Sequence, residues 1–344
     1  MAGGSGERFW PLSRKLVPKH LLRLFSDKTL LGESLERAWR LAPRERVFVL
    51  TNAEQLDAIR EAVPELDAAQ VIAEPAKRDT APAAALATAL ALSQDPEAVV
   101  ALLPADPLIR DSENFCKNMG DAAALAESGQ GMVTLGIVPR HPATGFGYLE
   151  KGEPIEARDG STVFWRVGQF KEKPNLTTAQ EYLATGRFLW NAGIFVWRAA
   201  DFLAEAARQK PELADFIKIF PPGNYTDYIS EHFPKLPKIS VDYAIMENAA
   251  RVVVGAAEFD WDDAGSWTSL PEHLEQDEQG NTCLGPVTAL DTHGVIAVSR
   301  GRTLALCGVS DLIVVETPDA VLVCHKSRAQ EIKALLGQLP ENLH

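Results

Sequence analysis

The sequence predicts an α/β protein: a doubly wound, mainly parallel, Rossmann-like sheet followed by a small C-terminal β-rich, β-helix-like unit. Three observations carry this expectation. Short β-rich runs alternate with helical patterns between residues 47 and 138. The run Val99-Val100-Ala101-Leu102-Leu103 lacks polar alternation, as a strand buried on both faces does. Beyond Gly280 the texture changes to short strands at intervals of roughly 8 to 10 residues, with Gly and Asp between them.

In chain order, residues 30–41, 53–63, 80–93 and 112–127 read as helices, and 47–50, 70–73, 99–103 and 132–138 as strands. The Ala-rich helix at 80–93 starts from Asp79 or Thr80 as N-cap, with Pro82 in the first turn. From 148 to 257 the layered pattern continues, with longer strands at 163–170, 189–197 and 251–256 separated by helices and Pro-rich loops. Strands at 287–290, 295–298, 304–306, 312–315 and 320–323, closed by a helix at 327–336, make the β-rich unit. The polar stretch at 276–281 separates two expected domains, 1–276 and 281–344.

A chain of 344 residues with 46% hydrophobic content is long enough for one large domain and a smaller one. Its best apolar run, Ala81 to Leu92, is interrupted by Pro82 and Thr88 and falls short of the roughly 20 residues of a membrane span. Neither a membrane segment nor a signal peptide is expected. Cys116, Cys283, Cys307 and Cys324 are too scattered for a zinc site or a disulfide framework, so the expected setting is reducing and cytoplasmic. Six Lys or Arg against two acids give the first 28 residues a net charge of +4, leaving −17 for the remainder of a chain at −13. An acidic chain with one basic end does not wrap nucleic acid; it suits a small phosphorylated ligand.

That basic end contains Ala2-Gly3-Gly4-Ser5-Gly6, then Arg8, Arg14, Lys15 and Lys19. The glycines permit positive φ and bring bare N–H groups up to an anion, with cations just beyond: a polyphosphate site. In open α/β sheets ligands bind past the carboxyl ends of strands. Three polar motifs occupy such ends: Leu103-Pro104-Ala105-Asp106, Phe170-Lys171-Glu172-Lys173-Pro174 and Trp261-Asp262-Asp263. Two carboxylates beside a polyphosphate are expected to hold Mg²⁺. Asp262 and Asp263 point opposite ways on extended backbone, so only one is a ligand. Taken singly, Asp106 is equally well explained as a turn residue, and Asp263 as the N-cap of a helix near Ser266. Asn191 stands in an apolar strand and must bond either to sugar hydroxyls or to neighbouring backbone, the backbone being the simpler account. The seven histidines show no metal spacing, and P-loop, G-x-G-x-x-G, G-x-S-x-G and H-E-x-x-H motifs are missing.

Together these segments resemble the sugar-phosphate nucleotidyltransferases, and among them the mannose-1-phosphate guanylyltransferases. The resemblance rests on the glycine loop through Arg14 with Pro18-Lys19, on Arg78-Asp79-Thr80-Ala81-Pro82, Leu103-Pro104-Ala105-Asp106 and Thr144-Gly145-Phe146-Gly147-Tyr148. It continues through Phe170-Lys171-Glu172-Lys173-Pro174, Trp190-Asn191-Ala192-Gly193, Ser240-Val241-Asp242-Tyr243 and Trp261-Asp262-Asp263-Ala264-Gly265. It implies a homodimer converting GTP and mannose 1-phosphate to GDP-mannose and diphosphate with Mg²⁺. It implies catalytic roles for Arg8, Lys19 and Lys173, and metal ligation by Asp106 and Asp263. Nucleotide binding would fall to Ala2, Gly3, Gly4, Ser5, Gly6, Glu74, Arg78, Thr80 and Asp106. Gly145, Glu172, Lys173 and Asn191 would hold the sugar phosphate. No general base is needed, because the attacking phosphate oxygen is already anionic.

The family also places an apolar strand before the glycine loop, where this sequence has only Met1 and Ala2. A version extended by about six apolar residues is expected to be the more stable. Some relatives carry an added isomerase domain; the end at His344 leads to the expectation of a single activity. Alternatives are a nucleotidyltransferase for another nucleotide or hexose 1-phosphate, and a non-catalytic nucleotide-sugar sensor, which would have no need to keep Lys19, Asp106, Asp263 and Lys173 together.

Overall fold

The computed structural model describes residues 1–4, 6–155 and 162–344. Helix α1 (Leu30–Leu41) starts where the Thr29 hydroxyl accepts the Gly32 N–H at 3.0 Å, and it buries Leu30, Leu31 and Leu35. Strands β1 (Val49–Asn52) and β2 (Val71–Glu74) pair in parallel through α2 (Leu56–Ala62). Helix α3 (Thr80–Gln94) is capped by Asp79 and has Ala81 to Ala85 buried together with Leu86, Ala89 and Leu90. An Ala-rich helix without a charged stripe belongs in such a core. Strand β3 (Val99–Leu102), helix α4 (Ser112–Glu127) and strand β4 (Met132–Ile137) occupy the segments the sequence predicts, but β3 is an edge strand with Ala101 exposed, not the strand buried on both faces that its apolar run suggests.

The middle of the chain supplies β5 (Tyr148–Ile155), β6 (Phe164–Lys171), α5 (Leu176–Thr185), β7 (Phe188–Arg198), α6 (Ala199–Gln209) and α7 (Pro211–Lys218). Then come α8 (Thr226–His232), α9 (Val241–Ala244), β8 (Val252–Ala256) and α10 (Leu270–His273). The six-stranded sheet has the order β3-β7-β4-β8-β6-β5, with β5 also pairing to β7. The α/β class stands, and the sheet is mixed. Strands β3, β4, β5 and β8 run one way, but β7 and β6 run the other, so only β4 and β8 pair in parallel. Apolar runs carry no information on direction, and the antiparallel β7 is buried along most of its length as a central parallel strand would be.

Met1 and Ala2 connect β1 to the segment after β3. The Ala2 N–H donates to Leu50 O at 2.7 Å, and the Ala105 N–H donates to Met1 O at 3.0 Å. The glycine loop therefore leaves from beside the carboxyl end of β3, where Asp106 lies.

Beyond residue 280, β9 (Thr282–Leu284), β11 (Ile296–Ser299) and β13 (Leu312–Glu316) stack in parallel, β14 (Val321–His325) closes them antiparallel, and β10 (Val287–Leu290) pairs with β12 (Leu304–Cys307). The expected terminal helix is a 3₁₀ segment, Lys326–Glu331, running into α11 (Ile332–Leu336). Alternate residues of these strands face two cores. Val295, Ala297 and Val314 face Val287, Leu304 and Leu306, whereas Ile296, Val298, Ile313 and Val315 meet Phe9, Trp10, Leu22 and Trp267. The β-rich unit thus packs against the back of the glycine loop. Trp267 is fully buried there, edge-on to Phe9 at 5.2 Å, with its indole N–H donating to Trp10 O at 3.0 Å. Trp267→Ala should cost about 3–5 kcal/mol, read as a lowered denaturation midpoint; an unchanged midpoint would show that this contact does not hold the loop.

Candidate active site

Lys19 lines a cavity of about 220 Å³ together with Gly6, Glu7, Arg8, Phe9, Asp106, Asp263, Gly265 and Lys333. Its side chain is only 7% exposed, and its ammonium donates to Asp106 Oδ2 at 3.0 Å and to the main-chain oxygen of Asp263. The loop above it turns at Gly6 with φ 63°, where an added Cβ would sit 2.2 Å from Lys19 Cβ. Only glycine meets both demands. Burial pushes the Asp263 carboxyl up to about 6, with Lys19 opposing and Asp106 adding to the rise. Burial also works to raise Asp106, but the charge and hydrogen bond of Lys19 overcome it and hold that carboxyl below its ordinary value. Two carboxylates beside one ammonium are driven apart in this way.

The neighbouring acids 262 and 263 have different surroundings. Asp262 Oδ2 lies 2.5 Å from His273 Nε2, and its Oδ1 accepts the Ala264 N–H at 2.6 Å. Its main chain pairs with Leu108, and Ala264 follows at φ 44°. Asp262 braces the loop that delivers Asp263. His273 and Glu272 join Asp262 in a cluster that histidine spacing did not reveal.

A second polar cluster surrounds Asn191 on β7. Its Oδ1 accepts the Gly193 N–H at 3.1 Å and lies 3.0 Å from Thr134 Oγ1, while its Nδ2 donates to Asp242 Oδ1 at 2.9 Å. The amide is thus satisfied by side chains as well as backbone. Glu172 pairs with Lys173 at 2.7 Å, and Lys173 holds a left-handed φ of 46°. Burial first, and Glu172 second, push the Asp242 carboxyl up to about 7. Gly147 packs here without room for a Cβ, which would meet Glu172 Oε2 at 2.5 Å; Gly145, two residues earlier, is exposed with open space about it.

The remaining sequence candidates lie around β1 and β2. Thr51 Oγ1 donates to Ala2 O at 2.9 Å, and Asn52, in register with Glu74, reaches Gly3 O at 3.5 Å. Gly3 and Gly4 are exposed, and Ser5 lies outside the described residues. Burial raises Glu74 to about 7. Arg78 donates to Pro234 O, and Thr80 Oγ1 accepts the Val241 N–H at 2.8 Å, so both side chains bond to the 234–241 segment and neither lines the cavity. Sequence reasoning left Glu7, Asp242, Gly265 and Lys333 unassigned. Asp242 had a signal in the Ser240-Val241-Asp242-Tyr243 segment, whereas Lys333 had none.

A glycine loop closed over a buried lysine, with acids from two strand ends, defines a site for activated phosphate chemistry. The nucleotidyl transferase family model matches residues 1–280, and that of the MannoseP isomerase/GMP-like beta-helix domain matches residues 285–339. The chain is 38% identical over 348 residues to the mannose-1-phosphate guanylyltransferase of Escherichia coli strain K12, covering 98% of this chain and 72% of that one. It is 36% identical over 349 residues to the mannose-1-phosphate guanylyltransferase of Klebsiella pneumoniae, covering 99% and 73%. A crystal structure from Thermus thermophilus, described as a mannose-1-phosphate geranyltransferase, matches with a TM-score of 0.86 at 36% identity over 98% of this chain and 97% of that one. This chain belongs to the nucleotidyl transferase enzyme family, on its mannose-1-phosphate guanylyltransferase branch. Among the described residues no helix is long and apolar enough to cross a membrane.

The Asp242 shift predicts a pH-dependent stability. Its folded pKa, about 7, is raised above the ordinary 3.8, so the stabilising state is the protonated one, complete below 3.8 and lost as pH rises toward 7. Asp242→Asn keeps an acceptor for Asn191 and removes that loss. Its Tm advantage over the unsubstituted protein should grow from pH 4 to pH 7 by several degrees and then level off; a constant difference across that range would contradict the assignment.

Proposed function

We propose that this chain transfers GMP from GTP to α-D-mannose 1-phosphate, giving GDP-mannose and diphosphate. The observation that carries the reading is the buried Lys19 under the glycine loop, flanked by Asp106 and Asp263, in a chain whose relatives bear that activity in their names. Residues 1–276 form the catalytic domain and 281–344 the β-rich domain. The enzyme works in the cytoplasm as a homodimer. Free cysteines suit a reducing compartment, and the β-rich unit exposes the apolar side chains Leu290, Val321 and Val323, which association with a second copy would cover.

Asp106 and Asp263 present oxygen donors to one cavity, and the burial-raised carboxyl of Asp263 is short of counter-charge; this donor set fits Mg²⁺. The ion, when bound, neutralises phosphate charge. Gly3, Gly4, Ser5 and Gly6 offer backbone N–H groups to the triphosphate, with Arg8 beside them and Lys19 at the α-phosphate. Glu74 borders the nucleotide side, and Arg78 and Thr80 shape it from outside the cavity through the 234–241 segment that their side chains hold. Gly145, Glu172 and Asn191 orient the sugar, and Lys173 holds its phosphate. The attacking oxygen is already anionic, so these residues align it and stabilise charge at the α-phosphate without moving a proton.

Diphosphate release measured with four nucleoside triphosphates and three hexose 1-phosphates should single out GTP with mannose 1-phosphate; preference for another pair, or no turnover with any, would overturn the reading. Lys19→Ala should lower kcat by about 10²- to 10³-fold while mannose 1-phosphate affinity changes little. In a Mg²⁺ titration of activity, Asp106→Asn and Asp263→Asn should each need far more metal. Asp262→Asn should not, and the reverse ranking would exchange the roles of the two neighbouring acids.

A further inference from the structure

Lys333 comes from the last helix of the β-rich unit, more than 300 residues along the chain from the glycine loop, yet it lines the same cavity. Its placement is not that of a loose tail. Ile332 beside it is 2% exposed, packed into the apolar cluster that contains Phe9 and Trp10, so α11 is fixed against the segment carrying Glu7 and Arg8. Lys333 Nζ lies 3.1 Å from Glu7 Oε2, with the two side chains 67% and 38% exposed. An ion pair this open to water is worth little, so the ammonium is free to exchange Glu7 for a stronger acceptor. Lys19 is committed in the other sense, buried and bonded to both acidic segments.

We propose that Lys333 is a phosphate-binding residue of the nucleoside triphosphate site, gripping the end that leaves as diphosphate, with Glu7 parking its ammonium beforehand. The inference rests on the function proposed above. It points to the nucleotide and not to the sugar phosphate because Lys173 and Asn191, which serve the latter, do not line this cavity. It points to the terminal phosphates because Lys333 is largely exposed, whereas Lys19, which is assigned to the α-phosphate, is buried. On this reading the C-terminal unit completes the active site.

The test uses the full chain with Lys333→Ala, Lys333→Arg and Glu7→Gln. Lys333→Ala should raise KM for GTP, and KM for diphosphate in the reverse reaction, by about tenfold, with KM for mannose 1-phosphate and Tm unchanged. Lys333→Arg should restore both constants, and Glu7→Gln should leave diphosphate affinity intact or tighter. Unchanged GTP and diphosphate constants in Lys333→Ala would overturn the proposal. So would an equal loss for both substrates with a fallen Tm, the signature of a docking contact only. Calorimetric titration with inorganic diphosphate alone separates this inference from the reading beneath it. If no nucleotide is turned over but Lys333→Ala still weakens diphosphate binding, the function fails and Lys333 stands; equal binding by both proteins, or none by the unsubstituted one, overturns Lys333.

Discussion

Burying the ammonium of Lys19 is the constraint from which the rest of the site follows. A charge removed from water must be fully paired and hydrogen-bonded, because its desolvation otherwise exceeds what packing returns. Lys19 meets that demand only by drawing together residues 19, 106 and 263, from three distant parts of the chain. The close approach excludes a side chain at position 6, and because Lys19 bonds Asp263 through its main-chain oxygen, burial leaves the Asp263 carboxyl incompletely neutralised. The cavity then holds three carboxylates, Glu7, Asp106 and Asp263, against three cations, Arg8, Lys19 and Lys333. A balanced cavity admits a polyanion most readily with a cation in company, which is the form in which a nucleoside triphosphate meets divalent metal.

A loop of small residues is costly to order, since glycine loses more conformational freedom on folding than any other residue. Its own contacts do not supply the compensation. The loop is held from behind, where Phe9 and Trp10 insert between Trp267 and the apolar face of β11 and β13. Directional bonds fix the orientation of that packing: the Trp10 indole N–H donates to Leu343 O at 2.9 Å, and Arg14 makes two 3.1 Å bonds to Asp319. The rigidity of the phosphate loop therefore depends on the far end of the chain. The continuous apolar runs at 295–298 and 312–315 have the same cause, because the sheet they form is covered on both faces.

What could be read from sequence divides along the same physical lines. The elements between residues 30 and 138 were legible from apolar runs and helical periodicity, but the runs misjudged burial: β4 is buried throughout, whereas β3 lies at the sheet edge with Ala101 exposed. Strand β5 was not, since after Tyr148 and Leu149 it runs through Glu150, Lys151, Gly152, Glu153 and Pro154, none of them buried. The reversed direction of β7 has no compositional mark. Asp106 and Asp263 were legible from their places after apolar strands, where the topology delivers side chains to a common edge. Arg78 and Thr80 stood in a polar turn that reads equally as ligand-facing or structural, and the structure bonds their side chains to the 234–241 segment. Lys333 was illegible because nothing local distinguishes it from the other solvated lysines; only tertiary docking puts it beside Glu7.

The Asn191 cluster shows how a satisfied polar network limits what it can offer a ligand. An amide side chain has two donor hydrogens and two acceptor lone pairs. The Gly193 N–H identifies which end is oxygen, and with the Thr134 hydroxyl at 3.0 Å it crowds that oxygen's acceptor sites. On the other side Nδ2 is committed once, to Asp242. Asn191 therefore has one N–H to give and at most one acceptor site, open when the single Thr134 hydroxyl hydrogen turns to Ile194 O at 2.9 Å. In the proposed sugar site Glu172 is the stronger acceptor: its partner is the exposed ammonium of Lys173, and an exposed cation can turn toward a phosphate while leaving the carboxylate in place. The raised carboxyl of Asp242 beside it holds its proton as pH falls below about 7, which there spares the pair the opposition of two full charges.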